Sequence, residues 1–224
     1  VAITAGMIFS FLLCGFWYPY WRIADMDFWI VYNGFLLNDG LPQEYFDHPG
    51  YLNIIFLSGW LRLLHAVGVL DVISLSAIPP VSEAANFARA WTYAIQAGRV
   101  LSLAMAIAFV VVFAFLLRRL VRDWRIATLG AFALAFSGGL EMEMRIIRTE
   151  LIAGGLVAIA FLIVIIAART ERSPWRPILI GVASLLAMLA MLNKVQVIFL
   201  ICALPLVALP FGSRPERPSG FWNG

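Results

Sequence analysis

Residues from about 94 to 117 form an apolar run that ends in Arg118, Arg119, Arg122 and Arg125. Roughly 20 residues rising 1.5 Å each cover the roughly 30 Å of a bilayer's hydrocarbon, so this run reads as a spanning helix. Arginines gathered at its end mark the cytoplasmic side. A second run, 151–168, meets Arg169, Arg172 and Arg176 in the same way, so two independent clusters set one topology. Composition agrees: 62% of the residues are hydrophobic and 13% charged, against about 25% charged in a soluble domain. The net charge of +3 belongs to arginines at the ends of apolar runs and points to no nucleic-acid partner. Cys14 and Cys202 lie in separate apolar segments, with neither disulfide nor metal-ligand spacing.

Taken in order, an all-α integral membrane fold of about six spanning helices is expected: 2–18, 94–117, 126–140, 151–168, 177–192 and 195–211, forming one module over 1–224. The first run closes on Trp17, Tyr18, Pro19, Tyr20 and Trp21, an aromatic cluster suited to the membrane interface. A long outer loop, 22–90, follows. Within it, 27–38 and 51–66 read as amphipathic helices along the membrane surface, with Phe28, Val31, Tyr32 and Phe35 at helical spacing. The segment 51–66 has a short spanning helix as its alternative. The apolar stretch 177–211 is roughly twice spanning length, and Asn193-Lys194 marks its turn. The chain begins at Val1 without methionine and ends in a polar tail at Gly224, which reads as a fragment of a longer protein.

This topology brings three polar groups to one outer face: the loop from Asp25 to His48, the turn holding Glu141, Arg145, Arg148 and Glu150, and Lys194. Ionisable groups at helix ends near hydrocarbon are costly unless paired or hydrated, and they often line a substrate path. The plainer alternative is that each is a solvated loop charge. Asp25 can cap the helix that follows it, and Glu150 can bridge to Arg145 or Arg148. Of 13 acidic residues, Asp123, Glu171 and Glu216 alone fall on the arginine side.

Asp25, Trp29, Gly40, His48 and Pro49 occur in the order and spacing of the first outer loop of GT-C superfamily glycosyltransferases. The chain resembles in particular the bacterial relatives of protein O-mannosyltransferases and lipid A aminoarabinose transferases. That loop opens with Asp-Glu, carries an aromatic residue and a glycine downstream, and reaches His-Pro-Pro. Glu150 resembles the acid that ends the family's second outer loop, and Lys194 its lysine between two short helices. Met26 stands where the family has Glu, Trp29 where it has Tyr, and Gly50 where it has the second Pro; Asp27 is the nearest substitute acid.

The resemblance implies sugar transfer from a polyprenyl-phosphate lipid to an acceptor on the periplasmic or extracellular face of a bacterial inner membrane. It implies helices beyond the six counted. It also assigns Asp25 as general base, with Asp27 as second candidate. Phosphate leaves without a protein acid, so one base to deprotonate the acceptor suffices. Arg145, Arg148 and Lys194 are the cations for the leaving phosphate, His48 a positioning group, and a divalent metal ion a further candidate. The alternative is a non-catalytic subunit that keeps the scaffold and partners other membrane subunits; a transporter is a third reading, for which no inverted repeat is found.

Overall fold

The computed structural model describes residues 1–22, 27–44, 50–170 and 174–206. Asp25, Met26, His48 and Pro49 lie outside the described residues. Among the described residues the regular structure is helical throughout: α1 (Ala2–Cys14), α2 (Asp27–Asn38), α3 (Tyr51–Ala66), α4 (Ala84–Val121), α5 (Trp124–Ala135), α6 (Gly138–Glu143), α7 (Thr149–Arg169), α8 (Arg176–Asn193) and α9 (Ile198–Ile201).

Three helices, α4, α7 and α8, are long and apolar enough to cross a membrane. Shorter apolar helical stretches cover Ala2–Cys14, Trp124–Ala135 and Val195–Leu206. Two of the sequence boundaries differ for local reasons. α1 ends at Cys14, short of residue 18, because the chain turns at Gly15, where a Cβ would stand 3.0 Å from the Arg145 side chain. The expected span 126–140 is interrupted after Ala135, and Ser137 starts α6 by accepting the Leu140 N–H on its hydroxyl.

α7 and α8 form the most extensive helix pair, and small residues let them approach. Ala183, Ala187 and Ala190 recur at helical spacing on the buried face of α8, opposite Ala153, Val157 and Ala160 of α7. α4 packs against both α5 and α7. Met7 and Phe11 of α1 enter a core with Ala106, Ala131 and Met144.

α2 and α3 pair with each other and then with α4. Their core joins Val31, Phe35, Leu57 and Leu61 to Trp91 and Ile95. α2 is buried more widely than an amphipathic pattern predicts. Its buried positions include Asp27, Ile30, Val31, Asn33, Gly34, Phe35 and Leu36, more than one face, because α3 and α4 flank it on different sides. α3 does keep an exposed apolar side, with Ile55, Phe56 and Leu63. At the end of α2, Gly40 adopts φ +74°, where a side chain would be strained.

Contacts at the helix ends give the bundle two distinct poles. At one, Arg169 Nη1 donates to the Leu120 carbonyl at 2.9 Å, so the arginine-rich ends of α4 and α7 meet. At the other, the start of α3, the start of α7 and the end of α8 converge on Asn193.

Candidate functional site

The second pole is built around Asn193, the last residue of α8. Its side chain is fully buried; Oδ1 accepts the Asn53 N–H at 3.1 Å, and Nδ2 donates to the Thr149 carbonyl at 2.6 Å. Its own carbonyl accepts the Gly50 N–H at 3.0 Å. One residue thus ties together the ends of three helices, whose terminal backbone groups need outside partners. Lys194 follows in extended conformation, and its Nζ reaches Glu150 Oε1 in the first turn of α7.

Glu143 completes the cluster. It ends α6, and the connection through residues 144–148 turns the chain back so that Arg148 Nη1 lies 3.4 Å from Glu143 Oε1. Burial pushes the Glu143 carboxyl above the usual glutamate range, and the nearby Glu150 charge pushes the same way; Arg148 and Lys194 oppose the rise. The side chains of Arg148, Glu143, Lys194 and Glu150 are 24%, 16%, 14% and 32% exposed, so the cluster is sheltered yet reachable. Two of its polar atoms, Glu143 Oε2 and Arg148 Nε, are enclosed and unpartnered.

Glu143 and Glu150 stand at one side of a cavity of about 190 Å³ between α4, α5 and α7. The rest of its wall is largely apolar, with Phe109, Phe113, Leu134 and Leu151. Gly154 also lines it, and a Cβ there would meet nothing within 4 Å. An apolar slot with two carboxylates in its wall, each paired to a cation, can hold an amphipathic anion, take up a proton and neutralise a phosphate.

The other expected site residues are distributed differently. Arg145 is turned away to α1: its Nη2 donates to Ser10 Oγ at 2.6 Å and to Glu141 Oε2 at 3.1 Å, and Ser10 itself donates to Glu141. That closed triangle engages Nη2 of the guanidinium, and Nε is enclosed without a partner. Asp27 is fully buried in a second charged centre. Its Oδ2 accepts from Arg99 Nε at 3.0 Å and Nη2 at 2.5 Å, and its Oδ1 accepts the Ile147 N–H at 2.7 Å. Burial raises the Asp27 carboxyl pKa, and Arg99 and the Ile147 N–H oppose the rise. Arg99, only 1% exposed, spends its remaining nitrogen on the Gly15 and Tyr18 carbonyls. A carboxylate so enclosed presents no exposed oxygen to a substrate. Beside it, Gly98 brings α4 against Ile147, where a Cβ would lie 2.4 Å from the isoleucine side chain.

Two residues central to these centres escaped the sequence reading. Arg99 did carry a signal, as an isolated arginine inside an apolar run of spanning length. Glu143 carried none, since its proximity to Glu150 depends on the turn between α6 and α7. Among the described residues, no group of three or more His, Cys, Asp or Glu could hold a metal ion. No protein-family model, curated protein or solved structure matches the chain.

Proposed function

We propose that the chain is a membrane glycosyltransferase of GT-C type, moving a sugar from a polyprenyl-phosphate donor to an acceptor at the pole that holds Glu143, Glu150 and Lys194. The observation that carries this reading is the meeting of Arg148 and Lys194 with two carboxylates beside an apolar slot, with Arg148 Nε still unpartnered. A lipid phosphate needs such a combination: cations for the head and an apolar wall for the first part of the tail. In this reading Asp25 deprotonates the acceptor, and His48 positions it. Arg148 and Lys194 hold the phosphate while Glu143 and Glu150 orient them. Arg145 and Asp27 serve the scaffold. Six spans, with this pole on the periplasmic side of a bacterial inner membrane, fit the two arginine clusters at the opposite pole.

Binding of a polyprenyl phosphate to the purified chain tests the reading. Arg148→Gln and Lys194→Ala are each expected to weaken binding about tenfold, the scale of one charge-assisted contact of about 1.4 kcal/mol. Affinity unchanged in both variants would overturn the phosphate site, and sugar transfer retained by Asp25→Asn would overturn the base.

A second reading, a non-catalytic scaffold subunit of a larger membrane assembly, has its own support. Each cluster cation already has a carboxylate partner, and Met26 occupies the position where the family carries its second acid. Stable co-purification with other membrane subunits, together with no polyprenyl-phosphate binding, is its expected signature.

A further inference from the structure

In a different part of the molecule, two cavities lie along the first half of α4. α4 has 38 residues, ~57 Å at 1.5 Å each, far longer than the roughly 30 Å of hydrocarbon. Its last turn holds Arg118 and Arg119. Counting back, Tyr93 lies ~37 Å from Arg118 along the axis, which puts its ring at the opposite interface. Residues before Tyr93 then project to headgroup level, and residues after it enter hydrocarbon.

Two adjoining cavities follow that division along one stripe of α4. The outer one, about 250 Å³, is lined by Asp71, Asn86, Arg89 and Tyr93 among others. The inner one, about 330 Å³, is lined by apolar groups that include Phe16, Trp60, Leu64, Val69 and Val100. Leu70 and Tyr93 line both, so the two join. Asn86, Arg89, Tyr93, Gln96, Ala97 and Val100 recur at intervals of three and four, which places them on one face of the helix. Trp60 Nε1 donates to the Ala97 carbonyl at 2.9 Å, so that indole's single donor is used and the ring presents only carbon to the slot.

The outer cavity carries one charge of each sign. Arg89 donates to Asn86 at 2.9 Å and has no ion pair among the described residues. Asp71 lines the other part of the cavity and is exposed. A cation and an anion in one cavity that opens into an apolar slot are the three partners needed by a lipid that carries a phosphate, an ammonium group and acyl chains. The geometry points to a bound zwitterionic aminophospholipid, with its phosphate on Arg89, its ammonium on Asp71 and one acyl chain along Val69, Trp60 and Val100. An anionic lipid would meet the same arginine but be repelled by Asp71.

The test is native mass spectrometry of the chain taken from nanodiscs of equal phosphatidylethanolamine and phosphatidylglycerol. Wild-type protein is expected to retain the ethanolamine lipid at least threefold over the glycerol lipid. Asp71→Asn should bring that ratio to about one, Arg89→Gln should lower total retained lipid at least threefold, and Val69→Asp, which puts a charge in the tail slot, should abolish retention. All three positions are exposed, and an unchanged thermal unfolding midpoint identifies variants that stay folded. Retention in the bulk ratio by the wild type, or a ratio untouched by folded Asp71→Asn, overturns the proposal.

Discussion

The Asp27–Arg99 centre and the cluster of Glu143, Arg148, Glu150 and Lys194 are both sets of opposed charges in an apolar bundle, and they differ in what is left over. Arg99 and Asp27 are 1% and 0% exposed, and their polar atoms are matched by each other, by two carbonyls and by the Ile147 N–H. The cluster is partly exposed and keeps Glu143 Oε2 and Arg148 Nε unpartnered. A buried charge with every polar atom partnered holds chain segments in place. A sheltered charge with a valence to spare can serve a ligand.

The largest effect should come from breaking the first centre on one side. Arg99→Met leaves a buried carboxylate and two unpaired carbonyls, and is expected to destabilise the chain by about 3–5 kcal/mol, read as a lowered unfolding midpoint in detergent. The double variant Asp27→Leu with Arg99→Met should recover part of that loss, because apolar replacement of a whole buried pair is often neutral. Failure to recover would mean that the bonds to the Gly15 and Tyr18 carbonyls matter more than the charge pair. Next comes Asn193→Ala, which orphans the Asn53 N–H and the Thr149 carbonyl. A loss of about 1–3 kcal/mol per group left buried and unpaired is expected in the same assay.

Lys194→Ala sharpens the contrast from the other side. Its pair with Glu150 is partly exposed, so stability should change by about 1 kcal/mol or less while lipid-phosphate binding falls. A stability loss as large as that of Arg99→Met would make the two centres equivalent and remove the case for a site. The smallest effect is a pH dependence. Glu143 has a raised folded-state pKa, so the folded chain holds its proton to higher pH than the unfolded chain does. Stability should therefore fall as pH rises from the usual glutamate value to the raised one, and Glu143→Gln should flatten that fall in unfolding midpoints measured across the window.

Helices with clear periodicity or clear punctuation were legible from sequence. The expected 27–38 and 51–66 correspond to Asp27–Asn38 and Tyr51–Ala66, and the arginine ends of 151–168 and 177–192 lie within one or two residues of α7 and α8. α4 begins at Ala84 rather than near 94, since Asn86 and Arg89 look like loop when only hydropathy is weighed. The convergence of Glu150 and Lys194 was foreseen from topology, and the two side chains do meet across 44 positions of sequence. The partner of Asp27 sits 72 residues away inside another helix, and nothing local announces such a pair. The same holds for Arg145, whose partner Ser10 lies 135 residues from it.

The bonds from Arg99 to the Gly15 and Tyr18 carbonyls join residues 84 and 81 positions apart. During synthesis at roughly 5–20 residues per second, α1 therefore waits roughly 4–17 s for the side chain that ties down its end. Over that interval the first helix must be held by something other than its final partner, so the chain has a built-in order of assembly: α1 arrives early, and α4 locks it.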